Sequence, residues 1–140
     1  MSSVFWDTNL FIYLVEASGD HTKRVARLAE RMNERGDQIF TSTMTLGEVL
    51  VKPAELGNDS LRQAYEDILK RNAVLVPFDE DAARLYAELR RDRTLRAPDA
   101  IQLSCAARAR VDMFITNDER LSTKIVAGID FIVSLEKAFL

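Results

Sequence analysis

Residues 4–11 read VFWDTNLF, an apolar run that begins almost at the N-terminus and stops on Asp7, followed by Thr8 and Asn9. A buried strand that ends on a carboxylate either caps a helix or holds that carboxylate out for chemistry. The rest of the chain repeats the strand half of this pattern. Short apolar runs recur at QIFTS (38–42), AVLVPF (73–78), DMFIT (112–116) and DFIVS (130–134), after a first one at SVFW (3–6). Between them the apolar spacing changes to the 3.6-residue period of helices. Residues 20–35 place Val25, Leu28, Ala29 and Met32 on one face, with Gly36 as the stop. Residues 45–56 continue as a helix that Pro53 must kink or end. Residues 60–71 and 79–92 carry the stripes Leu61/Ala64/Tyr65/Ile68 and Ala82/Leu85/Tyr86/Leu89, and 98–110 form a helix with Pro98 in its first turn. Strands joined by helical crossovers predict an α/β fold, a mostly parallel sheet covered on both faces.

The composition is compatible with one domain over 1–140. Apolar residues make up 47% and charged residues 29% of 140, and 5 Gly with 3 Pro leave no room for a long flexible linker. No apolar stretch approaches the roughly 20 residues of a membrane span, and MSSVFW lacks the features of a signal peptide, so a cytoplasmic location is expected. The lone Cys105 cannot form an internal disulfide. A net charge of −3 argues against gripping nucleic acid by overall charge, while leaving a local basic patch open. With His21 as the sole histidine, a histidine-pair ribonuclease, a HExxH zinc site and a Cys/His cluster are all excluded. His21 itself reads as a solvated residue, Phe5 and Trp6 as buried strand residues, and Cys105 as a small core residue.

Ligands in open α/β sheets bind outside the carboxyl ends of the strands, so acids just beyond strands carry the most weight. Asp7 follows the first strand, Glu48 lies in the helix entered from QIFTS, Asp99 opens the helix before the fourth strand, and Asp118 follows MFIT. Each also has a purely structural reading: Asp7 and Asp118 as N-caps, Asp99 as a helix-dipole partner, Thr45 with Glu48 as a capping box. Capping, however, needs no common meeting point, and these four fall at one sheet edge. Carboxylates gathered there repel unless a cation compensates, and a hard ion such as Mg²⁺ or Mn²⁺ prefers oxygen ligands. Such an ion supports phosphodiester hydrolysis without a histidine base. Thr8, Asn9, Thr116 and Asn117 are placed to orient ligands or water by hydrogen bonds. Arg90, Arg91, Arg93 and Arg96, just ahead of Asp99, are candidate phosphate contacts, or else a solvated helix end. Lys52 reads as an i,i+4 partner of Glu48, and Lys124 is a weaker phosphate candidate.

DTNLFIYL from Asp7, TSTMTLGEVL with Glu48, RAPDAIQLSCA with Asp99 and FITNDERL with Asp118 occur in an order that resembles the PIN-domain family, in particular the small VapC-type toxins of prokaryotic toxin-antitoxin systems. The resemblance spans nearly the whole chain. It implies a five-stranded parallel sheet and a Mg²⁺- or Mn²⁺-dependent ribonuclease, with an antitoxin partner and a homodimeric assembly. Carried across by position, Asp7, Glu48, Asp99 and Asp118 match the acidic quartet of metal ligands and catalytic residues, with Asn9 and Thr116 as accompanying polar positions. One departure is that Glu119, Arg120 and Leu121 stand where many members have an Asp-Phe pair after the last acid. Three other readings compete. A receiver domain would use Asp79 after the third strand as phosphoacceptor, but leaves Glu48 and Asp99 idle. A haloacid-dehalogenase-like phosphatase would need an acid where Asn9 stands. A PIN-like domain that only binds partners would use the acids as caps.

Overall fold

The first strand, β1 (Ser3–Trp6), owes its central place to having both neighbours parallel to it. Val4 is in register with Ile39 of β2 (Gln38–Ser42) on one side and with Met113 of β4 (Met113–Thr116) on the other. β3 (Ala73–Val76) pairs outside β2, and β5 (Phe131–Ser134) outside β4. The computed structural model describes residues 1–17 and 19–138, and its sheet has the order β3-β2-β1-β4-β5, parallel throughout.

Seven helices are present among the described residues. α1 (Thr8–Val15) and α2 (Asp20–Arg35) connect β1 to β2, and α3 (Thr43–Leu56) and α4 (Asp59–Asn72) connect β2 to β3. α5 (Glu80–Leu89) and α6 (Ala97–Arg108) cross from β3 to β4, and the short α7 (Glu119–Ser122) precedes β5. The two-residue period of β1 sorts the core. Val4 and Trp6 pack with Leu10, Val25, Met32 and Tyr65 under α1 to α4, while Phe5 stacks on Phe114 at 5.0 Å and packs against Leu103, Cys105 and Ala106 of α6. Burial on both faces explains why the central strands β1 and β4 are apolar but for Ser3 and Thr116, while the outer strands β3 and β5 are only partly covered.

The expected boundaries shift in a few places for physical reasons. β3 ends at Val76, before Pro77, which has no N–H for the ladder. α5 stops at Leu89, short of Asp92. Pro53 does not end α3: the helix continues to Leu56 and closes at Gly57, whose φ of +60° suits glycine. Thr45 does not form a capping box with Glu48, because the cap of α3 is Ser42, whose hydroxyl accepts from the Thr45 amide at 3.2 Å. No helix among the described residues is long and apolar enough to cross a membrane.

Candidate active site

After β1 the chain turns toward β2, and after β4 it turns toward β5, so the two loops part on either side of the β1/β4 seam and leave a crevice. Asp7 and Asp118 stand at its two lips. Asp7 caps α1, its Oδ1 accepting from the Thr8 amide at 2.9 Å, which satisfies the structural reading. Its other oxygen, Oδ2, accepts from the Thr116 hydroxyl at 2.8 Å, and that same hydroxyl oxygen accepts from the Asp118 amide at 3.0 Å. Asp7, Glu48, Asp99 and Asp118 all line one cavity of about 440 Å³, together with Thr8, Asn9, Gln102 and Arg96. The sequence order thus converges on one place: β1 brings Asp7, α3 brings Glu48, the first turn of α6 brings Asp99 and the end of β4 brings Asp118.

Thr8 and Gln102 line the cavity, and behind them a buried network of hydroxyls centred on the one amide forms its floor. Gln102 Nε2 donates to Thr45 Oγ1 at 2.7 Å and to Thr8 Oγ1 at 3.0 Å, while its Oε1 accepts from Ser42. Thr8 donates to Glu48 Oε1 at 2.6 Å, and the Thr41 hydroxyl, 2.8 Å from that of Thr45, donates to the Trp6 carbonyl at 2.9 Å. Thr41, Ser42 and Thr45 are fully buried, Gln102 nearly so. Sequence reasoning places Thr8 near the site but misses Gln102 and the Thr41/Ser42/Thr45 group. The available signal is spacing, since Gln102 lies three residues after Asp99 and so shares its helix face.

Electrostatics separates the acids. Burial raises the Asp7 pKa, the hydrogen bonds from Thr116 and Thr8 oppose this, and repulsion by Asp99 and Glu48 adds to it. Asp118 goes the other way, held below the ordinary range chiefly by Arg120, whose Nε and Nη2 reach Oδ1 at 3.1 Å and Oδ2 at 2.6 Å. Arg96 lies 3.3 Å from Asp99 and 3.8 Å from Asp118. The donors offered to a metal are oxygens only, and the destabilised charge on Asp7 is what a cation would relieve. Among the described residues no three carboxylates converge into a ready cluster, so the ion that fits best keeps most of its waters and takes one or two carboxylates, as Mg²⁺ does. Asp7, with Asp99 or Glu48, could hold it.

The sequence pattern of one family, the PIN domain, matches residues 4–125. The chain belongs to the PIN domain family. No curated protein sequence matches it. Among solved structures, this PIN domain is similar to a chain of VapBC2 from Rickettsia felis bound to a promoter DNA fragment, with TM-score 0.75, 16% identity and 94% of this chain and 98% of that one covered. It is also similar to a chain of DNA-bound VapBC from Salmonella typhimurium (TM-score 0.71, 23% identity, 96% and 99% covered). A third is a VapBC toxin-antitoxin family member from Mycobacterium tuberculosis (TM-score 0.62, 20% identity, 96% and 99% covered). At these identities the likeness establishes the fold.

Around this cavity, several expected residues lie elsewhere. Asn117 does not line the acid cavity; its amide donates to the Tyr13 hydroxyl at 2.8 Å. Arg96 alone of the four arginines lines it, for Arg90 donates to the Tyr86 hydroxyl at 2.8 Å, Arg91 pairs with Glu88 at 3.2 Å, and Arg93 is exposed. Lys52 pairs with Glu16 at 2.5 Å and not with Glu48, and Lys124 pairs with Asp92 at 2.9 Å. Asp79, the receiver candidate, caps α5 and faces Arg108 at 3.4 Å, outside the cavity.

Proposed function

We infer that this PIN domain is a metal-dependent endoribonuclease that hydrolyses RNA phosphodiester bonds, the VapC-type toxin of a toxin-antitoxin pair, acting as a cytoplasmic homodimer. The observation that carries the reading is the meeting of four separately encoded acids in one cavity, with Asp7 half-buried, its charge disfavoured by desolvation and further by the charges of Asp99 and Glu48. An arrangement serving only as caps has no reason to converge, and it lowers stability at neutral pH. Asp7, Glu48, Asp99 and Asp118 are the catalytic set, of which Asp7 with Asp99 or Glu48 would hold the Mg²⁺ or Mn²⁺ cofactor. When bound, such an ion supplies Lewis-acid charge at the phosphodiester and makes water a stronger nucleophile. The remaining work belongs to side chains of this domain. Thr116 and the Thr8 amide fix the two oxygens of Asp7, Thr8 fixes Glu48, and Arg96 offers its guanidinium to a phosphate at the cavity mouth. The antitoxin partner is supported by the similar chains, solved in VapBC complexes.

The test is incubation of the purified protein with RNA and with single-stranded DNA, with and without chelator, beside Asp99→Asn. RNA cleavage that requires Mg²⁺ or Mn²⁺ and falls more than about 100-fold in Asp99→Asn is the expected result. Mn²⁺ should also raise the melting temperature, as any ligand of the folded state does. Unchanged cleavage by Asp99→Asn rejects the assignment of the site. A metal-induced shift without cleavage of either polymer selects the binding-only reading.

A further inference from the structure

A second cationic surface lies outside the acid cavity, along α2. Lys23, Arg24, Arg27 and Arg31 are all exposed and line a separate cleft of about 370 Å³ over Leu28 and Leu135. The cleft's acids are Asp20 and Glu136. None of the four cations is in an ion pair among the described residues, whereas Arg35, at the end of the same helix, pairs with Asp37 at 2.9 Å. Like charges four apart on a helix repel, as Lys23 with Arg27 and Arg27 with Arg31 must. In a chain of net charge −3, such a concentration makes a local positive field that attracts anions.

Tyr13, which lines neither cleft, bridges the segments that carry them. Asn117, next to Asp118, holds the Tyr13 hydroxyl; His21 stacks on Tyr13 with centroids 4.5 Å apart and planes 14° apart; and Thr22 donates to the Tyr13 carbonyl at 2.6 Å. We propose that this face of α2 is a second binding site, a track for the phosphates of an RNA strand leading to or from the acid cavity, with the Tyr13/His21 stack as a base-sized platform between the two. That the polyanion is RNA rests on the nuclease reading above. From Arg24 to Arg31 is about 10 Å of helix, the span of three stacked nucleotides at about 3.4 Å each. Cations in a row beside stacking rings are what a single strand requires. Asn117 and His21, which have no part in the acid cavity, acquire one here.

The test measures affinity for a labelled single-stranded RNA by fluorescence anisotropy in chelator, where nothing is cut, across a salt series. Arg24→Glu/Arg27→Glu should weaken binding at least 10-fold and make the salt slope shallower by about 1.4, roughly 0.7 for each phosphate no longer neutralised. Arg24→Gln/Arg27→Gln should do so to a lesser degree, without introducing new charge. In metal, the charge-reversal variant should raise KM for a long RNA and leave cleavage of a very short one unchanged. Unaltered affinity and slope overturn the track, as does loss of poly-glutamate binding with RNA binding retained, which assigns the face to an acidic protein segment. Loss of affinity in the variant from a wild-type protein that cuts nothing keeps the track and removes the nuclease reading. Cleavage by the wild type with unaltered variant affinity does the reverse.

Discussion

The floor and the rim of the acid cavity are both polar, yet they are built on opposite principles. The floor, from Gln102 to Ser42, Thr45 and Thr8, is buried, uncharged and hydrogen-bonded throughout. The rim, Arg96 and Arg120 with Asp99 and Asp118, is charged and open to solvent, its arginine side chains 65% and 60% exposed. Low dielectric makes the floor costly to break and holds Asp7 and Glu48 in one geometry. Water and salt screen the rim, so its ion pairs exchange partners cheaply and an arriving phosphate can take their place.

The largest expected effect comes from removing the centre of the floor. Gln102→Leu keeps the volume but leaves the Ser42 hydroxyl hydrogen without its acceptor and strips a donor from Thr45 and Thr8, and a loss of about 2–3 kcal/mol is expected in calorimetric melting. A loss below about 0.5 kcal/mol would mean that the network is not rigid. Asp7→Asn sharpens the contrast from the other side. A carboxylate whose folded pKa is raised by burial weakens the metal-free fold as pH climbs from its unfolded value of 3.8 through the folded one. The Asn variant should therefore lose that decline and melt higher than wild type at pH 7 without metal, while losing cleavage. A lower melting point at pH 7 would show the hydrogen bonds of Thr116 and Thr8 outweighing desolvation. Smallest is Arg120→Ala at the rim. The melting point should barely move, but the Asp118 pKa followed by NMR should rise toward the ordinary carboxylate range. Asp118 is depressed in the folded state, so its small stabilisation is present above the unfolded pKa and disappears as pH falls through the folded one; the variant should lack this step.

Against these regions, the legibility of the sequence is uneven for identifiable reasons. Strands and helices can be read because two-faced burial forces apolar runs of four or five residues, and 3.6-residue stripes mark the rest. The acids can be located because an acid just past a strand lies at a known edge. Gln102 escapes because an amide between Ile101 and Leu103 carries no charge or pattern to mark it. Proximity in sequence assigns Arg90, Arg91 and Asn117 to the site, yet it says nothing about Tyr86, Glu88 and Tyr13 competing for them. The cations of α2 are visible on a helix, but their lack of partners is a tertiary property.

The Thr116 hydroxyl donates to Asp7 and accepts from the amide of Asp118, so one atom ties together two loops that leave the sheet in opposite directions. Across the β1/β4 seam this side chain acts as a cross-tie. The ladder and the Asp7 amide, which donates to the Ile115 carbonyl at 3.0 Å, hold the backbones, while the Thr116 hydroxyl ties the Asp7 carboxylate to the start of the Asp118 loop; Thr116→Ser would keep that tie, whereas Thr116→Val would release the carboxylate and leave every strand in place.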